Sequence, residues 1–237
     1  MDNQIAITKE LAQKVKETVS HGLVKGLGKP ELGQMCVEAA VNYACGLPHG
    51  DNPLCVGNAV RSFKIKLNDA KWSTNNARAI GMLKIAIAQL GSNTINQIEF
   101  AKIVAFKTIT VLMAIILRDK GYNEEATLCE NSKTLLEAKD NIWSVKNKLY
   151  AAAYAYAYAA DAAYAAAYAA DAADAAAYAA YAAYAADAAD AADAAAYAAY
   201  AAAYAYADKY LLISANICLE ALIELKSPGC EFLYLCD

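Results

Sequence analysis

From Tyr150 to Asp208 the chain is alanine interrupted only by tyrosine and aspartate. Alanine loses no side-chain entropy on entering a helix, and neither glycine nor proline breaks the run, so helix is the expected state throughout. The interruptions fall mostly three or four residues apart, about 3.4 on average. Against the 3.6-residue turn, each mark drifts backward by about 20° around a straight helix. The block is therefore expected to supercoil, or to break into shorter rods that pack on one another. As one rod it would extend roughly 90 Å, so a long helix or a helical hairpin is predicted, with alanine faces for close packing and tyrosines along the seam.

This block organises the rest of the chain. Residues 1–148 are expected to form a helical bundle domain. Residues 149–208 form the alanine-rich rod, packed on the bundle or extending from it. Residues 209–237 supply a last helix and tail, and a single domain overall is compatible with the same pattern. The fold class expected is all-α. Aspartates three apart, such as Asp187, Asp190 and Asp193, repel one another unless solvated or matched by basic groups, so they mark a wet face or a landing site for a basic partner. Tyrosine hydroxyls and aspartates could also line a groove for a polar or cationic ligand. The block lacks the threonine array of an ice-binding helix.

Seven of the 25 acidic residues lie in the block, and none of the 21 basic ones does. Nucleic-acid backbones demand clustered Lys and Arg, so nucleic-acid binding is not expected. The start, MDNQIAITKELAQKVKETV, lacks the charged head and apolar stretch of a secretory signal. The most apolar run, Val111 to Leu117, is too short to cross a bilayer. A soluble, cytoplasmic protein without a membrane association is predicted. The seven cysteines include no C-x-x-C pair and there are only two histidines, so no metal site is expected and the thiols read as reduced, mostly buried apolar groups.

Helices are predicted from about Gln4 to Ser20, Glu31 to Cys45 with Pro30 in its first turn, Cys55 to Leu67, and Asn75 to Leu90. A long apolar helix to about Arg118 is predicted to open on a capping box of Thr94 and Gln97. A short helix follows from Asn123 to about Ala138, with Asp140 or Asn141 capping the next. The last helix runs from about Asp208 to Leu225, broken by Ser227-Pro228-Gly229. No segment alternates with period two over several turns, so little or no sheet is expected.

The densest polar segment is GQMCVEAAVNYACGLPHGDNPLCVGNAVRSFKIKLNDAKWSTNNARAIG. It resembles uncharacterised bacteriophage and bacterial proteins in which such a segment precedes an alanine-rich tract and a tail like SPGCEFL. The resemblance implies a phage or bacterial setting and no mechanism. From the residues themselves, Glu38, His49 and Asp51 could supply a general base with its partners, because Gly50 leaves His49 and Asp51 free to converge. The competing reading is a turn held by Asx-type hydrogen bonds. His21, beside a glycine at a helix end, reads as a cap residue, and Cys36, Cys45 and Cys55 have no evident base.

Arg61, Lys64, Lys66, Lys71 and Arg78 form the richest basic cluster, with Trp72, Asn68, Asn75 and Asn76 among them. Cations, an aromatic platform and amides suit a nucleotide-like anion. A solvated helix face carrying one buried Trp is the alternative. With no Walker loop and no strand-linked G-x-G-x-x-G, no cofactor is expected. The function expected is a non-catalytic binding protein whose ligand site comprises His49, Asp51, Arg61, Lys64, Asn68, Trp72, Asn76 and Arg78. In its phage version it is a sponge for a nucleotide-derived immune signal. A hydrolase built on Glu38, His49 and Asp51 is one alternative. A structural or interaction protein, self-associating through the alanine helix, is the other. The partner expected is a small anionic ligand or a protein, with a homo-oligomer compatible with either.

Overall fold

Thr8 opens the first helix by accepting a hydrogen bond from the Leu11 N–H (3.2 Å). Helix α1 (Lys9–Ser20) thus begins later than its periodicity suggests, because the cap satisfies orphan first-turn donors. Leu11, Val15 and Val19 form its buried stripe, whereas Ile5, whose spacing would place it on the same face, precedes the helix and is half-buried. The computed structural model describes residues 5–155, 188–202 and 207–237, together with Ala176 and Ala179.

Helix α2 is Val37–Ala44, not the longer helix from Glu31. Residues 28–35 instead fold back on themselves through a single antiparallel bridge between Gly28 and Met35. Glu31 donates to the Lys29 carbonyl and Gln34 to the Glu31 carbonyl. Gly28 sits at φ 72°, and a Cβ there would lie 1.9 Å from the Gln34 carbonyl oxygen, so only glycine permits the turn. The helix then starts at a cysteine cap, with Cys36 Sγ accepting from the Ala39 N–H.

Helices α3 (Asn58–Asp69) and α4 (Asn75–Ala88) follow, α4 capped by Thr74. α4 ends at Ala88 with Gln89 as its C-cap, and Gly91 (φ 80°) leads into the 3-10 turn that follows. The next cap is Asn96, whose Oδ1 accepts from the Ile98 and Glu99 N–H groups, and not Thr94, which lies in a 3-10 turn. The adjacent Gln97 amide is drawn elsewhere, to the Ser92 and Ile95 carbonyls. Helix α5 (Gln97–Lys107) continues through a π-helical turn (Thr108–Met113) into α6 (Ala114–Asp119). The continuous stretch Gln97–Asp119 is 23 residues long and apolar enough to span a bilayer by length and composition. That corrects the expectation that this region is too short. Its apolar character has a second outlet, because Phe100, Ala101, Val104, Ile109, Leu112 and Leu117 are all buried inside the protein.

Helix α7 is Asn123–Glu130 and α8 is Leu135–Ala155. The cap between them is Thr134, which accepts from the Glu137 N–H while the Glu137 carboxylate accepts from the Lys133 N–H. Asp140 and Asn141 lie inside α8, so neither caps it. Helix α9 (Ala188–Ala202) is the described part of the alanine block. The middle of the block, and with it the choice between one rod and a hairpin, lies outside the described residues. Helix α10 (Ala207–Glu224) precedes a 3-10 helix, Pro228–Cys236.

The alanine helix is a core element. α9 packs chiefly against α3 and next against α5. Ala191, Ala192, Ala195 and Ala198 are buried in that seam. Side chains this small let three helix backbones approach closely, at little loss of conformational freedom. The tail is pinned to the end of α4: the Ser227 hydroxyl donates to the Ala88 carbonyl (2.6 Å) and the Gly229 N–H to the Leu90 carbonyl (2.7 Å). The protein is all-α, and among the described residues no strand occurs.

Candidate functional site

Of the basic cluster expected to face a ligand, Lys64 and Arg78 are buried, Arg61 and Lys66 are half-buried and Lys71 is exposed. Lys64 is fully buried and its Nζ lies 2.9 Å from Oε1 of Glu38, itself fully buried. Gln89, the C-cap of α4, is also fully buried, and its carboxamide makes no hydrogen bond among the described residues, while the Cys218 thiol of α10 lies within the field of both charges. Burial pushes the Glu38 carboxyl up, and Lys64, followed by Arg61 and Gln89, pulls it part of the way back. Side chains from four helical segments therefore meet at one buried polar centre.

Arg78 is buried as well. Its guanidinium donates to the Asn68 carbonyl (2.8 Å), the Leu23 carbonyl (3.1 Å) and Asn75 Oδ1 (2.5 Å). Asn68 accepts from the Val37 N–H and donates to the Val24 carbonyl. Trp72 donates its indole N–H to the Leu67 carbonyl, and its ring lies against Gly81, where a Cβ would come within 2.3 Å. Lys66 reaches over the Tyr197 ring of α9 at 5.6 Å. Lys64, Asn68, Trp72 and Arg78 are thus structural groups, a correction to the expected anion face. Asn76 stands apart from them on exposed surface.

Glu38, His49 and Asp51 are not brought into one set. His49 is exposed, with Nε2 3.3 Å from the Gly28 carbonyl oxygen. Asp51 holds Arg61 in a two-point contact: Nη2 donates to Oδ1 (2.8 Å) and Nε to the Asp51 carbonyl (2.5 Å). Glu38 and Asp51 border the same cavity, but at about 40 Å³ it holds little more than a water molecule. Among the described residues the three make no hydrogen bond to one another, which leaves a hydrolase without an assembled base. The described residues also hold no group of three or more His, Cys, Asp and Glu side chains placed to bind a metal.

An open groove lies instead between α1 and the end of α2. It encloses about 480 Å³ and is lined by Lys14, Glu17, Thr18, His21, Tyr43 and Cys45, with Leu32 on the loop between the helices. That volume falls in the range of small-molecule sites. Lys14, Thr18 and His21 recur at helical spacing, so one stripe of α1 forms a wall. Thr18 is committed to the Lys14 carbonyl (2.7 Å), and Glu17 accepts from the Gln13 amide (2.9 Å). Among the described residues, the side chains of Lys14, His21 and Tyr43 make no hydrogen bond or ion pair. His21 follows α1 as its C-cap, as expected, but its ring faces this groove. The site escaped sequence reasoning, although the polar i, i+4, i+7 stripe of Lys14, Thr18 and His21 flanks the buried face of Leu11, Val15 and Val19.

All seven cysteines are free thiols. Burial pushes Cys129 and Cys218 up to about 12 and Cys230 up to about 11. Cys45 and Cys55 differ: the influence of each thiol on the other raises Cys45, with burial adding to it, and lowers Cys55. No protein-family model, no curated protein and no solved structure matches this chain, so the site rests on its own geometry.

Proposed function

We propose that the chain is a non-catalytic binding protein that captures a small nucleotide-like anion in the groove between α1 and α2. The observation that carries this reading is a groove of ligand size in which Lys14, His21 and Tyr43 stand uncommitted. Lys14 and the His21 ring N–H would meet a phosphate, and the exposed face of Tyr43 would meet a base or other planar ring. Glu17 would accept from a sugar hydroxyl or an exocyclic amine. The groove also lies at the C-terminal ends of both helices, where the backbone dipole disfavours negative charge. One phosphate group therefore suits the site better than a polyphosphate.

The absence of an assembled acid–base set among the described residues favours capture over turnover. The resemblance to phage and bacterial proteins supplies the specific version, a sponge that holds a nucleotide-derived immune signal. The test is calorimetric titration with a panel of nucleoside monophosphates and cyclic dinucleotides, followed by chromatography of the recovered ligand. The expected result is stoichiometric binding of a panel member recovered intact, weakened roughly tenfold or more by Lys14→Glu, about 1.4 kcal/mol. Equal binding by wild type and Lys14→Glu would place the site elsewhere, and a chemically altered ligand would make the protein an enzyme.

A further inference from the structure

Resting on the capture reading above, we propose that the groove is gated by a proton on His21: the anion is held while the imidazole is charged and released as pH rises. Lys14, Glu17 and His21 share one wall of the groove, Glu17 standing three residues after Lys14 and four before His21. The Lys14 ammonium is thus offset by a carboxylate about one turn away. From α2 the titratable groups lining the groove are the Tyr43 phenol and the Cys45 thiol. The loop between the helices contributes Leu32, which brings no charge.

Both helices also end at this groove. His21 is the C-cap of α1 and Cys45 that of α2, and neither helix has a basic residue in its last turn. Each helix end carries roughly half a negative charge on its unsatisfied carbonyls. With a neutral imidazole the groove therefore presents a net negative field to a phosphate. A proton on His21 offsets that field and supplies a charged N–H donor to a phosphate oxygen. Lys14 lies about 10 Å further back along the helix axis, so it does not replace His21 at this end.

The backbone fixes where the ring stands. The Gly22 N–H donates to the Val19 carbonyl (2.9 Å). Gly33 approaches so closely that a Cβ there would lie 2.8 Å from the His21 carbonyl oxygen. The cap residue is thus held between the helix end and the following loop, while His21 itself is exposed to solvent protons. Histidine is the side chain whose charge ordinarily changes between about pH 5 and 8. Affinity follows the charged fraction, so it is full on the acid side and falls by up to about tenfold per pH unit on the alkaline side. Because the anion favours the charged ring, binding takes up a proton.

The test is calorimetric titration of the full chain at about pH 5.5 and about pH 8.5, either side of the ordinary histidine range, with nucleoside monophosphates and cyclic dinucleotides as probes. The cyclic dinucleotides are phosphodiesters of constant charge across this range and give the direct readout. For a monophosphate, whose second ionisation lies near about pH 6, the His21→Gln protein supplies the baseline. Wild type is expected to bind roughly tenfold or more weakly at the higher pH. Titration in two buffers of different ionisation enthalpy is expected to show proton uptake. His21→Gln is expected to bind a cyclic dinucleotide weakly at both pH values, and His21→Lys to keep tight binding at the higher one. His21 is exposed with φ −72°, a conformation open to Gln and Lys, so both variants keep the fold. Wild-type affinity equal at the two pH values, or a fall with pH that persists in His21→Lys, would overturn the gate and leave capture standing. No binding of any probe at either pH would overturn capture and the gate together.

Discussion

Replacing Lys64 with methionine keeps much of the side-chain volume and removes the one ion-pair partner that Glu38, which is fully buried, has among the described residues. The carboxylate must then sit in the core uncompensated or take up a proton. Protonation is the cheaper course, and its cost sets the magnitude. From an ordinary value of 4.5 to pH 7, at about 1.4 kcal/mol per unit, holding the proton costs roughly 3 kcal/mol. That agrees with the 3–5 kcal/mol typical of a broken buried pair. The sign follows from the raised carboxyl. A folded-state value above the unfolded one gives stability that is complete below about 4.5 and is lost as pH rises toward the folded value. Lys64→Met is therefore expected to lose about 3 kcal/mol at pH 7 and less than about 1 kcal/mol at pH 5. Urea denaturation of wild type and variant at both pH values measures this. A loss below about 1 kcal/mol at pH 7, or one equal at the two pH values, would refute an uncompensated buried Glu38. The double variant Glu38→Leu/Lys64→Met is expected to recover most of the loss, because an apolar pair needs no desolvation of charge.

Arg78→Lys is expected to destabilise by about 2–3 kcal/mol in urea melts, since an ammonium cannot reach the Asn68, Leu23 and Asn75 oxygens together. Gly81→Ala normally stabilises a helix interior, but here the new Cβ would lie 2.3 Å from the Trp72 ring, so a loss of about 1–3 kcal/mol is expected by the same assay. Asp51→Ala breaks a partly exposed bridge to Arg61 and is expected to change stability by no more than about 1 kcal/mol.

The all-α class was legible because it depends on helix propensity and periodicity alone. Local chemistry was harder to read. Asn96 rather than Thr94 caps α5, and Thr134 rather than Asp140 caps α8, because several side chains near each start could accept the same N–H groups. The inward turn of Lys64 was partly readable, since it stands four residues after Val60 and three before Leu67 on the buried face of α3. It was read as part of a ligand-facing basic cluster because its partner, Glu38, comes from a different helix, α2. The pairing of Glu38 with Lys64 has no local signature, because separate elements supply it. The groove joins α1 to the end of α2 across the irregular 21–36 segment, and no spacing rule predicts its shape.

The central claim is capture of a small nucleotide-like molecule between α1 and α2, and the most direct measurement is mass spectrometry of small molecules released when the purified native protein is denatured. The account predicts a phosphate-bearing compound in stoichiometric amount from wild type, chemically intact and depleted from the Lys14→Glu protein. An empty extract from wild type protein that likewise binds none of the nucleotide panel would contradict it.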